Sequence, residues 1–165
     1  MSTIIVRPFQ TEDWPVVQAI YQQGIDTKNA TFESKVKTWD EWNRATLPDC
    51  RLVAVLAGEI AGWAALSPVS SRAVYAGVAE VSIYVATDHQ GRGIGTHLLT
   101  ALIDASEQVG FWTLQAAIFP ENVASIELHK KCGFHIVGSR EKLGQMDGVW
   151  RDVVLMERRS KIVGV

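Results

Sequence analysis

The sequence predicts one α+β domain with a mixed, mostly antiparallel sheet and helices interspersed. Three observations carry that expectation. Runs such as Ala79-Glu80-Val81-Ser82-Ile83-Tyr84-Val85 alternate with period two, as a half-buried strand does. The segment from Ile94 to about Val109 places Ile94, Leu98, Leu99, Leu102 and Ile103 on one broad apolar stripe, which marks an amphipathic helix. Between these two lies Gln90-Gly91-Arg92-Gly93-Ile94-Gly95-Thr96, a turn stripped of side chains by its glycines. With 165 residues, 47% of them hydrophobic, the chain can bury a core, and no repeat, linker or low-complexity tract divides residues 1–165.

The elements follow in order. Residues 4–6 read as a first strand, stopped near Pro8. Thr11 is expected to N-cap a helix, with Glu12 and Asp13 in its first turn and Val16, Val17, Ile20 and Tyr21 on its apolar face. A loop around residues 29–33 precedes a second helix capped by Thr38. Residues 52–56 and 60–66 form a hairpin turned at Ala57-Gly58-Glu59, and a looser stretch, 67–77, leads to the strand before the glycine loop. After the long helix, residues 112–118 read as a strand. Pro120-Glu121-Asn122 starts a helix that ends at Gly133, and residues 134–137 and 150–156 make a last strand pair.

Composition excludes several classes of function. Net charge is −2 with a pI near 6.1, and no Lys/Arg block runs along a helix, so nucleic acid is not an expected partner. No apolar run approaches the roughly 20 residues of a membrane span, and the N-terminus lacks signal-peptide features, so a cytoplasmic protein is expected. Cys50 and Cys132 form no C-x-x-C pair and read as reduced packing residues. No Cys/His cluster has zinc-site spacing, so no metal is expected.

Strand, glycine loop and helix together suit an anion: successive N–H groups close around it, and the helix N-terminus adds its dipole. A dinucleotide fingerprint fails, because Thr96 occupies the third glycine position and the strand after the helix carries no acid. A P-loop fails for want of a lysine. Asn122, Ser125 and His129 share one helical face, which reads either as a ligand-lining stripe or as a solvated face with an N-cap at Asn122. Glu80 is either a partly desolvated base or an exposed strand-end charge, and Arg72 is an anion-capable guanidinium in a loose segment.

The order strand, Gln90-x-x-Gly93-x-Gly95, helix, strand, then Asn122-x-x-Ser125-x-x-x-His129-x-x-x-Gly133-Phe134 resembles the GNAT superfamily of acetyl-CoA-dependent N-acetyltransferases over nearly the whole chain. The resemblance implies the GNAT fold and acetyl-CoA as co-substrate. It places the coenzyme along Ile83, Tyr84 and Val85, the loop residues Gln90, Gly91, Arg92, Gly93, Ile94, Gly95 and Thr96, and the helix residues Asn122 and Ser125. Arg72-x-x-Tyr75-x-x-x-Ala79-Glu80-x-Ser82-x-Tyr84-Val85, with Phe32 and Trp150-x-Asp152-Val153, is similar to the phosphinothricin and methionine sulfoximine acetyltransferase branch. So is His129, where most of the superfamily carries tyrosine. Met146 departs from the lysine often found there.

That branch implies a homodimer that acetylates the α-amino group of a small amino-acid analogue. Glu80 is then the base, directly or through a water, and His129 the acid or instead the base. Arg72 would clamp a substrate carboxylate, with Phe32 and Tyr75 walling the pocket. Two alternatives stand beside this: another amine (a polyamine, an aminoglycoside or a protein N-terminus), and a non-catalytic acyl-CoA-binding module.

Overall fold

A computed structural model describes residues 2–165 and contains the elements β1 (Ile4–Pro8), α1 (Trp14–Asp26), α2 (Trp39–Ala45), β2 (Leu52–Leu56), β3 (Glu59–Pro68), β4 (Val78–Val85), α3 (Ile94–Gln108), β5 (Thr113–Ile118), α4 (Val123–Lys131), β6 (His135–Met146) and β7 (Val149–Arg159). Short 3-10 turns occupy Thr11–Asp13, Ala73–Tyr75 and Thr87–His89. The strands form one sheet in the order β1-β2-β3-β4-β5-β7-β6. Among the described residues only β4 and β5 run parallel; every other neighbouring pair is antiparallel. The mixed, mostly antiparallel architecture expected from the sequence is the one observed.

Each face of the sheet has its own core. On one side α3 buries Ile94, Leu98, Leu99 and Leu102 against Ala64, Leu66, Leu114 and Met156, with Val81, Ile83 and Val85 packed beside them. On the other, α1 and α2 bury Val17, Ile20, Tyr21 and Trp42 against Val53, Trp63 and Ala65. Most tryptophans serve this second face: Trp42 meets Trp63 edge-on at 5.7 Å, while Trp14 and Trp39 pack against Trp42 and each other. Because side chains alternate along β4, Val81, Ile83 and Val85 belong to the α3 side and Tyr84 to the α1 side.

Three expectations about local structure are corrected. Thr11 does not cap α1; the helix begins at Trp14, and Asp13 occupies the entry instead. Asp13 accepts the Gln10 N–H at 2.8 Å and pairs with both terminal nitrogens of Arg7, a stronger bond than a threonine hydroxyl offers. The helix expected from Pro120 starts at Val123, because Asn122 is its cap. The last hairpin is longer than residues 134–137 and 150–156, since β6 reaches Met146 and turns at Asp147 and Gly148, both at positive φ. Its ladder shifts register between Arg140 and Gly144, and there Asp152 accepts the Lys142 N–H at 2.7 Å. By contrast the box at α2 is as expected: Thr38 Oγ1 accepts the Glu41 N–H at 3.2 Å, and Glu41 accepts the Thr38 N–H at 3.0 Å.

Candidate active site

The site opens where the two parallel strands part. β4 and β5 pair only through Val78–Thr113, Ala79–Leu114 and Glu80–Gln115. Beyond that rung β4 stays with β3 as far as Val85, and β5 follows β7 as far as Ile118. The Ala86 N–H donates to the Ala61 carbonyl at 2.8 Å. In an alternating antiparallel ladder this sets Ser82 and Tyr84 to bond β3, and turns the N–H and C=O groups of Ile83 and Val85 toward the gap. Backbone groups without a ladder partner require one. A cavity of about 360 Å³ lies at this split, lined by residues 80–84 of β4, Ala116, Ile118 and Phe119, then Asn122, which caps α4, with Ser125 and His129 on that helix, and residues 30–33.

Glu80 sits on the last shared rung, half-buried, and accepts one bond from Gln115 Nε2 at 2.9 Å. Its register partner is that same glutamine, so both strands fix the carboxylate. His129 is buried at 4% exposure, edge-on to Phe134 at 5.0 Å. Its Nδ1 lies 2.7 Å from the Ser125 carbonyl, which can only accept, so Nδ1 carries the proton. Nε2 therefore holds the lone pair, and it is buried without a partner among the described residues. Burial pushes the imidazole below its ordinary value, against the opposing bond to Ser125.

That shift has a consequence for stability. As pH falls through about 6.5 an unfolded histidine takes up a proton, while folded His129 holds out to lower pH. The unfolded state then binds more protons, so the stabilisation is complete above that point and lost below it. Thermal melts between pH 7.5 and 5 should show a steeper loss in the wild type than in His129→Gln. Parallel curves would mean that His129 is not held neutral by burial.

On the α4 stripe the N-cap expected at Asn122 is present, while the solvated face is not, since His129 is buried. Asn122 Oδ1 caps the helix by accepting the Ser125 N–H at 3.2 Å, yet Asn122, Ser125 and His129 all face the cavity. The glycine loop lies outside that cavity and exposed, with Gly91 at φ +76° and Gly93 at φ +84°. No side chain caps α3, so the N–H groups of its first turn have neither a cap nor an intrahelical acceptor. His97 Nδ1 donates to the Gly93 carbonyl at 2.8 Å and ties loop to helix. Gly95 also lets helices approach, since a β-carbon there would lie 3.0 Å from Leu128 Cδ2.

Of the expected acceptor residues, the cavity gathers Phe32 and Glu80 but not Arg72 or Tyr75. Those two lie on the exposed connection between β3 and β4, where the Arg72 guanidinium stands 5.5 Å from the Tyr75 ring centre. The connection leaves β3 beyond Pro68, the partner of Ala79, so it emerges at the Glu80 end of the split. Three contributors carried no sequence signal: Gln115, Phe119 and Glu33. Glu33 is paired with Lys37, which also donates to the Tyr21 hydroxyl at 3.1 Å. Among the described residues the cavity wall thus holds two carboxylates, Glu33 and Glu80, and no lysine or arginine. Both cysteines are half-buried and free; burial pushes the Cys50 thiol up to about 11, which leaves it unreactive.

The acetyltransferase (GNAT) family model matches residues 11–134. The chain is 35% identical over 161 residues to an L-methionine sulfoximine/L-methionine sulfone acetyltransferase of Pseudomonas paraeruginosa, covering 92% of each. It is 32% identical over 157 residues to a phosphinothricin N-acetyltransferase of Streptomyces viridochromogenes, covering 93% of this chain and 86% of that protein. Among solved structures it is similar to a phosphinothricin acetyltransferase from Sinorhizobium meliloti in complex with acetyl-CoA. There the TM-score is 0.86 at 26% identity, with 98% of this chain and 96% of the other covered.

Proposed function

The chain belongs to the acetyltransferase (GNAT) family, and from that premise we propose that it transfers acetyl from acetyl-CoA to the α-amino group of a small amino-acid analogue. Methionine sulfoximine, methionine sulfone and phosphinothricin are the acceptors of choice, as the names of its relatives suggest. One observation carries the reading: the strands part immediately past Glu80, and the gap has free backbone groups on one wall and an unpartnered His129 Nε2 on another. The gap suits an extended, amide-bearing arm, which can add hydrogen bonds to Ile83 and Val85 as an extra strand would. The uncapped first turn of α3 and the glycine loop suit a pyrophosphate.

The proposed chemistry moves two protons. An α-amino group with a pKa of about 8 or above is mostly ammonium at neutral pH and cannot attack. Glu80 removes that proton, directly or through a water. As the nitrogen bonds to the acyl carbon it sheds a second proton, which Nε2 of neutral His129 can accept. His129 then returns this proton to the departing sulfur, so the histidine ends as it began. A neutral resting imidazole suits this relay better than a standing acid, because Nε2 has no proton to give at the outset.

Arg72 is the carboxylate clamp in this reading, carried on a connection that emerges at the Glu80 end of the gap. Arg72→Ala should raise KM for methionine sulfoximine by about tenfold or more with little change in kcat, the loss of one charge-assisted pair. An unchanged KM would assign the clamp elsewhere. A homodimer and a cytoplasmic location belong to the same proposal, and the exposed Ile136, Val137, Val149 and Trp150 of the last hairpin offer apolar surface for a second copy.

A second reading rests on the cavity's charge. With Glu80 on its wall beside Glu33, whose charge Lys37 already meets, it also suits an amine bearing a further positive centre that competes for Glu33. Release of coenzyme A, measured with methionine sulfoximine, phosphinothricin and a polyamine, separates the two. Binding of acetyl-CoA with turnover of no amine would instead favour a binding module.

A further inference from the structure

The connection between α1 and α2 lacks regular structure, yet residues 30–33 form one wall of the cavity. An irregular segment has no ladder to hold it, so the position of Phe32 depends on what grips its approach. The guanidinium of Arg151 makes the most bonds to that approach, beside an exposed ion pair of Lys28 with Asp147 at 3.4 Å. Arg151 Nη1 donates to the Lys28 carbonyl at 2.9 Å, and Nη2 donates to Asn29 Oδ1 at 2.9 Å and to Glu121 Oε2 at 3.2 Å. Nη1 also lies 3.5 Å from Met146 Sδ, and the guanidinium carbon stands 4.0 Å from the Phe119 ring centre. The Arg151 side chain is only 13% exposed. From the other side Asn122 Nδ2 donates to the Asn29 carbonyl at 3.3 Å.

The clamped residues lead directly to the cavity wall. Phe32 meets Phe119 edge-on with centroids 4.8 Å apart, and Phe119 is the ring beneath Arg151. Gly144 of β6 leaves room for that arrangement, since a β-carbon there would lie 3.1 Å from the Phe32 ring. We propose that Arg151 is a positioning residue for the acceptor: by pinning Lys28 and Asn29 to the last hairpin and to Glu121, it sets Phe32 against Phe119 and so shapes the acceptor wall. The inference rests on the acetyl-transfer reading for its kinetic consequence, although the clamp itself does not. A lysine does not substitute, because one ammonium lacks the planar fork that reaches two acceptors while lying on a ring.

The test compares wild type, Arg151→Ala, Arg151→Lys and Asn29→Ala, with acetyl-CoA and L-methionine sulfoximine as probes. Both Arg151 variants should raise KM for the sulfoximine by about tenfold, leaving kcat and the KM for acetyl-CoA within about twofold. Asn29→Ala, an exposed change that removes one of the acceptors, should raise it about threefold. Hydrogen exchange without acceptor should quicken by about tenfold at residues 28–33 and stay unchanged at residues 83–85. Unchanged exchange overturns the clamp. A fall in kcat at constant KM overturns the acceptor role. If Arg151→Ala does not fold, the lysine and Asn29 variants carry the same comparison. Should the wild type acetylate no amine, the proposed function fails, and exchange alone then decides the clamp.

Discussion

Glu80→Gln is expected to lower kcat by about 10²-fold or more while the KM for acetyl-CoA stays within about twofold. The substitution is nearly isosteric, and the position is one where that matters. Glu80 sits on the last rung shared by β4 and β5 and accepts a single bond from Gln115 Nε2 at 2.9 Å. A glutamine can keep that bond through its own carbonyl oxygen, so the strands have no reason to shift and the coenzyme's wall survives. What disappears is the ability to take a proton. The defect should therefore shrink as pH rises above about 8, where the fraction of free α-amine grows without help from the enzyme. Steady-state rates between pH 6.5 and 9.5 check both parts. A near-normal rate at pH 7 would remove Glu80 from the role of base. A deficit that does not shrink with pH would mean the carboxylate positions the amine instead.

The residues that carry this argument differ in how far the sequence revealed them. Period-two alternation exposed β4, and the stripe from Ile94 to Ile103 exposed α3, because both elements bury one face and their patterns are imposed by the core. The greater part of β6 escaped for the opposite reason. Ser139, Arg140, Glu141 and Lys142 lie exposed on an edge strand, where charge is favoured and no core dictates alternation. The N-cap at Asn122 was legible in the sequence, whereas the solvated face read beside it is replaced by a buried His129 and a stripe that lines the cavity. Gln115 and Phe119 gave no signal, since only the parting of two strands makes them part of a site. Arg151 was invisible as well. Its bonds to Lys28 and Asn29 span more than 120 positions and follow from folding alone. Arg72 shows the converse, a residue marked by motif that lies outside the cavity of the single chain.

Gly93→Val should raise the KM for acetyl-CoA by roughly 10- to 100-fold, an effect of about 1.4 to 2.8 kcal/mol. Gly93 lies at φ +84°, a left-handed conformation that costs an L-residue about 1–2 kcal/mol and a β-branched one at the upper end. The β-carbon itself has room, since beyond the neighbouring residues its nearest contact would be His97 Nδ1 at 3.8 Å. The new side chain projects instead at the mouth of the loop, where the uncapped N–H groups of α3 would meet a pyrophosphate. Backbone strain and obstruction of the loop are separable by a control. Gly58 lies at φ +79° in the β2–β3 turn with open space around it. Gly58→Val should therefore lose a similar amount of stability, roughly 2–8 °C in Tm, with no change in acetyl-CoA affinity. If Gly58→Val and Gly93→Val weaken acetyl-CoA equally, strain alone explains the loss and the loop does not hold the anion. If only Gly93→Val does, the first turn of α3 and its glycine loop are where the coenzyme's negative charge is bound.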